Sequence, residues 1–251
     1  MYLNIFTYLW GSALIVHSIF VFSDYYSNYL YDVYLKNDEK INIIKKIEKK
    51  DKINEWIYSS IHGTLSSTLA IISLNSSIFD FNFKTNNLLQ PDNQMQYLTV
   101  SICFSYFVID LLKCIYNKKY LFILHHIASI ILLSNVIYSF HLKRNIGYYA
   151  MYNIFLLESN TVLLNIGFLL KELNFHYSIT CMSWIIHLLC FVSFRLLMLP
   201  ILIARFYLFE PFTFENIIYL PNFFLIISGS VYWAYRQTVG IKKYLKENSV
   251  I

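Results

Sequence analysis

Seven stretches of this chain are each apolar for roughly 20 residues, the length a helix needs to cross a bilayer. No other feature limits the fold so strongly. The stretches run from Tyr2 to Phe22, Trp56 to Ile78, Tyr97 to Ile115, Tyr120 to Phe140, Gly147 to Leu170, Ser178 to Ile203 and Asn216 to Tyr235. Composition agrees: 57% of the residues are hydrophobic and 14% charged, where a soluble domain carries about 25% charge. The expected fold is all-α, a polytopic helical membrane protein with about seven transmembrane helices. Tyr2–Phe22 has no basic n-region and no small-residue cleavage site, so it reads as a retained span rather than a removed signal.

Between the first two spans, residues 24–55 hold seven Lys and seven acids. Within them Ile41, Ile44 and Ile47 recur every three residues among lysines. That spacing suits a short amphipathic helix lying on a membrane surface; a solvated linker fits it as well. The chain thus divides into 1–55 (first span and basic linker), 56–240 (the remaining spans) and 241–251 (a basic tail).

Seven spans place the two ends on opposite sides, and the basic residues choose between them. Fifteen of the 20 Lys and Arg lie in the loops after spans one, three and five and in the tail, against four in the loops after spans two, four and six. The positive-inside rule puts the C-terminus in the cytosol. The net charge of +5 is accounted for by this bias and by attraction to anionic lipid, so no nucleic-acid partner is expected. Cys103, Cys114, Cys181 and Cys190 fall in or beside apolar spans without a CxxC spacing and read as small hydrophobes. No bound cofactor or metal is expected. A set drawn from His62, Asp110 and a span-four histidine has suitable ligand types but no tight spacing such as HxxxH.

The ionisable groups inside the spans are what remain to be explained, because such groups are costly in hydrocarbon and commonly mark working sites. Asp110 in YFVIDLL and His125-His126 in LFILHHIAS flank the short turn Tyr116-Asn117-Lys118-Lys119 at matching distances. An antiparallel helix pair therefore brings the acid and the histidine pair to one depth. Counting 1.5 Å per residue, His62 in span two and Asn165 in span five reach the same layer on the cytosolic side. Glu158 and Arg195 lie deeper and are expected to pair, since each costs about 3 kcal/mol unpaired near the centre. Ser159, Asn160 and Thr161 can bond across helices, and His187 reads as a core histidine. Successive helical residues point about 100° apart, so His125 and His126 cannot address the same atom. One is expected to face a central cavity, the other a neighbouring helix. An imidazole oriented by a carboxylate suits general-base or nucleophilic acyl chemistry.

These residues resemble a known family. The YFVIDLL and LFILHHIASIILL segments look like the core of a TLC domain, the family of ceramide synthases, translocon-associated TRAM proteins and smaller TLC-domain-containing proteins. Further matches are His62 in EWIYSSIHGTLSS, Glu158 and Asn165 in LLESNTVLLN, and Arg195 and Pro200 in FRLLMLP. The resemblance covers about residues 55–240 and is nearest the small TMEM-type members. It implies a six-helix domain around a lipid-sized cavity, preceded here by one span, with the histidine pair inside. In ceramide synthases a histidine of that pair is tied to acyl transfer from a fatty acyl-CoA to a sphingoid amine. That implies acyl transfer at His125 or His126 with Asp110 orienting, and His62, Glu158, Asn165 and Arg195 at the lipid cavity. Leu157-Glu158-Ser159-Asn160 stands where the synthases carry His-Asp and a further Asp, so lipid handling is implied more strongly than ceramide synthesis itself.

The expected function is therefore lipid homeostasis in the endoplasmic reticulum or another endomembrane. The protein would bind a long-chain lipid or acyl group, with acyl-CoA as co-substrate if it is an enzyme. The alternative is a non-enzymatic lipid sensor, chaperone or trafficking adaptor. Membrane lipids or acyl chains are the expected partners, and a homo-oligomer is left open.

Overall fold

In the computed structural model, which describes residues 2–34, 43–74, 94–142, 146–209 and 214–248, the chain is helical, in keeping with its apolar periodicity. The helices are α1 (Tyr2–Tyr34), α2 (Ile43–Ser73), α3 (Gln94–Tyr116), α4 (Tyr120–His141), α5 (Gly147–Glu172), α6 and α7 (Phe214–Asn248). Helix α6 starts as Tyr177–Phe191, widens into π-helical turns over Val192–Met198 and continues as Leu199–Phe209. Four segments are long and apolar enough to cross a membrane: Gln94–Tyr116, Tyr120–His141, Gly147–Glu172 and Tyr177–Ala204. In α1, α2 and α7 an apolar run shares one helix with a polar extension.

Those extensions change two expectations. The basic stretch after residue 42 is not a separate surface helix but the first turns of α2, which runs unbroken into the second apolar span. No Gly or Pro between Lys52 and Trp56 stops it. The basic tail is likewise continuous with α7 as far as Asn248. Residues 40–42, the loop containing Pro91 and residues 143–145 lie outside the described residues.

The α3–α4 hairpin fixes the register on which the later argument depends. The last turn of α3 closes through Asn117 N–H to the Lys113 carbonyl at 2.9 Å and Lys119 N–H to the Cys114 carbonyl at 2.9 Å. Lys118 between them takes φ 54°, the left-handed conformation that ends many helices. Lys119 then reaches across to α2, its Nζ lying 2.7 Å from both carboxylate oxygens of Glu55.

Packing closes a ring of six helices in the spatial order α2, α3, α4, α7, α6, α5, with α5 returning against α2. Helix α1 sits outside the ring against α2 and α3. The centre is apolar: Val100, Ile102, Phe140, Met151 and Leu199 are fully buried. The outward faces are apolar too, with Leu124, Ile127 and Ile131 on α4 and Met182, Ile186 and Leu189 on α6 exposed. Such continuous apolar faces suit lipid rather than water.

Helix α2 packs closely on α5. A Cβ on Gly63 would stand 3.0 Å from the Glu158 carbonyl oxygen and 3.0 Å from Val162 Cγ2. Since one of these is backbone, a side chain there has to push the helices apart. Small residues permit such approaches in membranes. One helix over, Gly167 admits the Trp184 indole in the same way, and Trp56 stacks on Phe168 at 4.5 Å between the ring centroids. Gly63→Ala should therefore lower stability by about 1–3 kcal/mol, the usual cost of overpacking. Gly229→Ala, with nothing within 4 Å of the added methyl, should be neutral or slightly stabilising. Denaturant titration in mixed micelles checks this; equal stabilities for the two variants would contradict the close approach.

Candidate functional site: two imidazole–carboxylate pairs inside the helix ring

Asp110 lies near the end of α3 and His126 near the start of α4, so the tight hairpin sets them side by side. His126 Nε2 stands 2.9 Å from Asp110 Oδ2. Nε2 thus faces the carboxylate, while Nδ1 on the other side of the ring has no hydrogen-bond partner among the described residues. His126 is buried at 4% exposure, whereas the Asp110 side chain keeps 22%. The expectation that acid and histidine pair meet is met, and the structure selects which histidine takes the acid.

His125 points elsewhere. Its ring centroid is 5.4 Å from that of His126 and 6.1 Å from Phe107, nearly edge-on. The side chain is only partly buried, and no hydrogen bond holds its ring among the described residues. It lies within electrostatic reach of Asp110, His126 and Arg195. The two adjacent histidines thus divide as helical geometry requires, one held against the acid and the other left open.

A second pair forms between α2 and α5. His62 is buried at 1% exposure, and its Nε2 stands 3.7 Å from Glu158 Oε2. Its ring lies flat on Tyr106, the centroids 3.5 Å apart and the planes 1° from parallel. Ser66, one turn along α2, brings its Oγ to 3.3 Å from His62 Nδ1.

The expected Glu158–Arg195 ion pair does not form. Arg195 Nη2 donates instead to the Leu157 carbonyl at 2.6 Å, and Glu158 turns to His62. The reason is local: the π-helical turns rotate Arg195 toward the α5 backbone one residue short of the acid. Arg195 Nε is buried without a partner, and its guanidinium lies 5.2 Å from the Phe191 ring. The two charges still act on one another through space.

The remaining polar groups are used locally. Ser159, Asn160 and Thr161 do not bond across helices; each donates to the carbonyl four residues back on α5. Asn165, two turns beyond Glu158, is buried with its Nδ2 unpartnered. No contact joins Asn165 to either pair among the described residues. His187 is a core histidine as expected, its Nδ1 in close contact with Gln237 Nε2 of α7.

Sequence reasoning missed the connecting groups. Phe107 lies 5.5 Å from His126 and 6.1 Å from His62, ring to ring, so one phenyl ring separates the two pairs. Tyr106, Phe107, Asp110 and Cys114 follow one another at helical spacing on a single face of α3, and that stripe was the available signal. Cys114 matters for another reason. Its sulfur, an Asp110 oxygen and a His126 nitrogen all lie within 4.8 Å of one another, a grouping able to hold a metal ion that neither a CxxC nor an HxxxH spacing signals.

The division between the histidines is measurable. A double-mutant cycle on stability should give a coupling of about 0.5–3 kcal/mol between Asp110→Asn and His126→Ala, the range for residues in direct contact. The same acid variant combined with His125→Ala should be close to additive. The opposite ranking would mean that the acid holds the wrong imidazole here.

Comparison with known proteins bears on the same residues. The family model of the TLC domain matches residues 52–237, a stretch that contains both imidazole–carboxylate pairs and Arg195. No curated protein matches the chain. With the greater part of its length matched and four helices able to span a bilayer, the chain is an integral membrane protein and belongs to the TLC-domain family.

Proposed function

We propose that this protein handles a long-chain lipid inside the helix ring and transfers an acyl group from a fatty acyl-CoA to a lipid acceptor, with His125 as the general base. The observation that carries the reading is the unequal treatment of the two histidines. His126 is held against Asp110, while His125 is left without a partner beside an incompletely bonded Arg195. Ionisable groups arranged this way inside apolar spans are costly unless they serve a function.

In this reading the acyl chain lies between the helices in a lipid-sized cavity and the thioester sits near His125. His125 removes the proton from the acceptor's amine or hydroxyl as that atom attacks the thioester carbonyl. Arg195 stabilises the oxyanion that develops. Collapse forms the new amide or ester bond and breaks the carbon–sulfur bond. The proton on His125 passes to the departing sulfur, giving CoA thiol and the acylated acceptor. His126 and Asp110 set the position of α4 and the field around His125, and His62 with Glu158 lines the far side of Phe107. The π-helical turns at Arg195 fit such a role, since π-bulges recur at functional sites.

The same proposal takes α1, α2 and α7 as further membrane spans, giving seven, with the C-terminus in the cytosol and the protein in the endoplasmic reticulum or another endomembrane. The excess of basic residues in alternate loops supports that orientation. One observation favours a non-enzymatic lipid sensor, chaperone or trafficking adaptor instead: Glu158 is engaged by the buried His62, so span five presents no free acid toward the open histidine.

Purified protein given labelled fatty acyl-CoA and a panel of amine and lysolipid acceptors separates the two. Acylated product should form with wild type and fall by about 100-fold or more in His125→Ala, the usual scale of general-base catalysis. Arg195→Gln should fall comparably. Retention of an acyl probe with no product from any acceptor would instead establish the binding-protein reading.

A further inference from the structure

We propose that Asp110, Cys114 and His126 form a divalent transition-metal site of the zinc type at the cytosolic end of the α3–α4 hairpin. Asp110 and Cys114 are four residues apart on α3, so both side chains leave the same face one turn apart. The hairpin swings His126 of α4 onto that face. One potential ligand atom from each residue lies within 4.8 Å of the other two, and the carboxylate–imidazole separation is already 2.9 Å. Tetrahedral zinc, with bonds of about 2.0–2.3 Å, sets its ligand atoms roughly 3.3–3.6 Å apart.

The second observation is what the buried groups lack. His126 is 4% exposed, and with its Nε2 turned to Asp110 its Nδ1 has no hydrogen-bond partner among the described residues, although buried polar groups nearly always find one. Cys114 is also buried. A divalent ion satisfies all three residues together. The charges balance as well, because one carboxylate, one thiolate and a neutral imidazole with a doubly charged cation sum to zero, which suits a site inside a membrane protein. One sulfur, one nitrogen and one oxygen ligand favour zinc over magnesium or calcium, which take oxygen donors. Three protein ligands leave a fourth position open, as in catalytic rather than closed structural sites.

The nearby cations do not compete for the place. Lys119 is held by both oxygens of Glu55 at 2.7 Å. Lys113 extends to the Tyr58 and Phe20 rings, 3.8 Å and 4.0 Å from their centroids. Binding displaces the thiol proton, so it releases a proton and strengthens as pH rises. The site does not depend on the acyl-transfer reading, since His125 is outside it.

The test uses full-length protein purified in detergent without chelators. Elemental analysis should find close to one zinc per chain. Chelator-stripped protein titrated with Co2+ should show tetrahedral visible bands together with a near-ultraviolet thiolate-to-cobalt charge-transfer band. Cys114→Ser should abolish the charge-transfer band, and Asp110→Asn should weaken zinc binding by at least about tenfold. Cys181→Ser should leave both unchanged. Wild-type protein that is metal-free as purified and gives no charge-transfer band on Co2+ titration overturns the site, and so does persistence of the band in Cys114→Ser. If Cys114→Ser does not fold, the wild-type Co2+ spectrum decides. Metal bound without acyl transfer would end only the transfer reading, and transfer by protein that takes up neither zinc nor Co2+ would end only this one.

Discussion

An ionised side chain in hydrocarbon costs several kcal/mol unless something nearby compensates it, and this constraint organises the interior of the protein. Asp110 is compensated by His126, Glu158 is approached by His62, and Arg195 leans on a backbone carbonyl. Each partner comes from a different helix. The polar contacts therefore fix which faces of α2, α3, α4, α5 and α6 turn inward, a choice that apolar packing alone leaves loose in a lipid environment. Tyr106 and Phe107 fill the space between the two pairs, so the polar groups are set in aromatic walls rather than in water.

Much of this was legible in the sequence, and the reasons are specific. The helices follow from the apolar runs because a membrane span has a fixed length. Asp110 and the histidine pair were placed opposite one another because a three-residue turn fixes the register of the hairpin, with Lys119 closing on Cys114. Other features needed three dimensions. The choice of His126 over His125 depends on helix rotation, which residue spacing does not set. Arg195 missed Glu158 because π-helical turns alter the rotation at that point, and nothing in FRLLMLP announces them. Glu158 and His62 were expected at different depths, yet the close approach at Gly63 sets them side by side.

The polar residues of α5 divide into two kinds. Ser159, Asn160 and Thr161 return their hydrogen bonds to their own helix. Glu158, beside them, reaches out to α2 instead. Close helix contact and the buried pair thus depend on each other: the missing side chain at Gly63 lets α2 approach, and the approach brings His62 within range of the acid. Helix α1, outside the ring, contributes the Phe20 face that receives Lys113.

The central claim is that Asp110 holds His126 and leaves His125 without a hydrogen-bonding partner among the described residues. Cryo-electron microscopy of the protein in lipid nanodiscs tests it most directly. The account predicts the His126 ring against the Asp110 carboxylate, with His125 free and elongated acyl-chain density beside it between the helices. Density placing His125 on Asp110, or both imidazoles outward in the surrounding lipid, would contradict it.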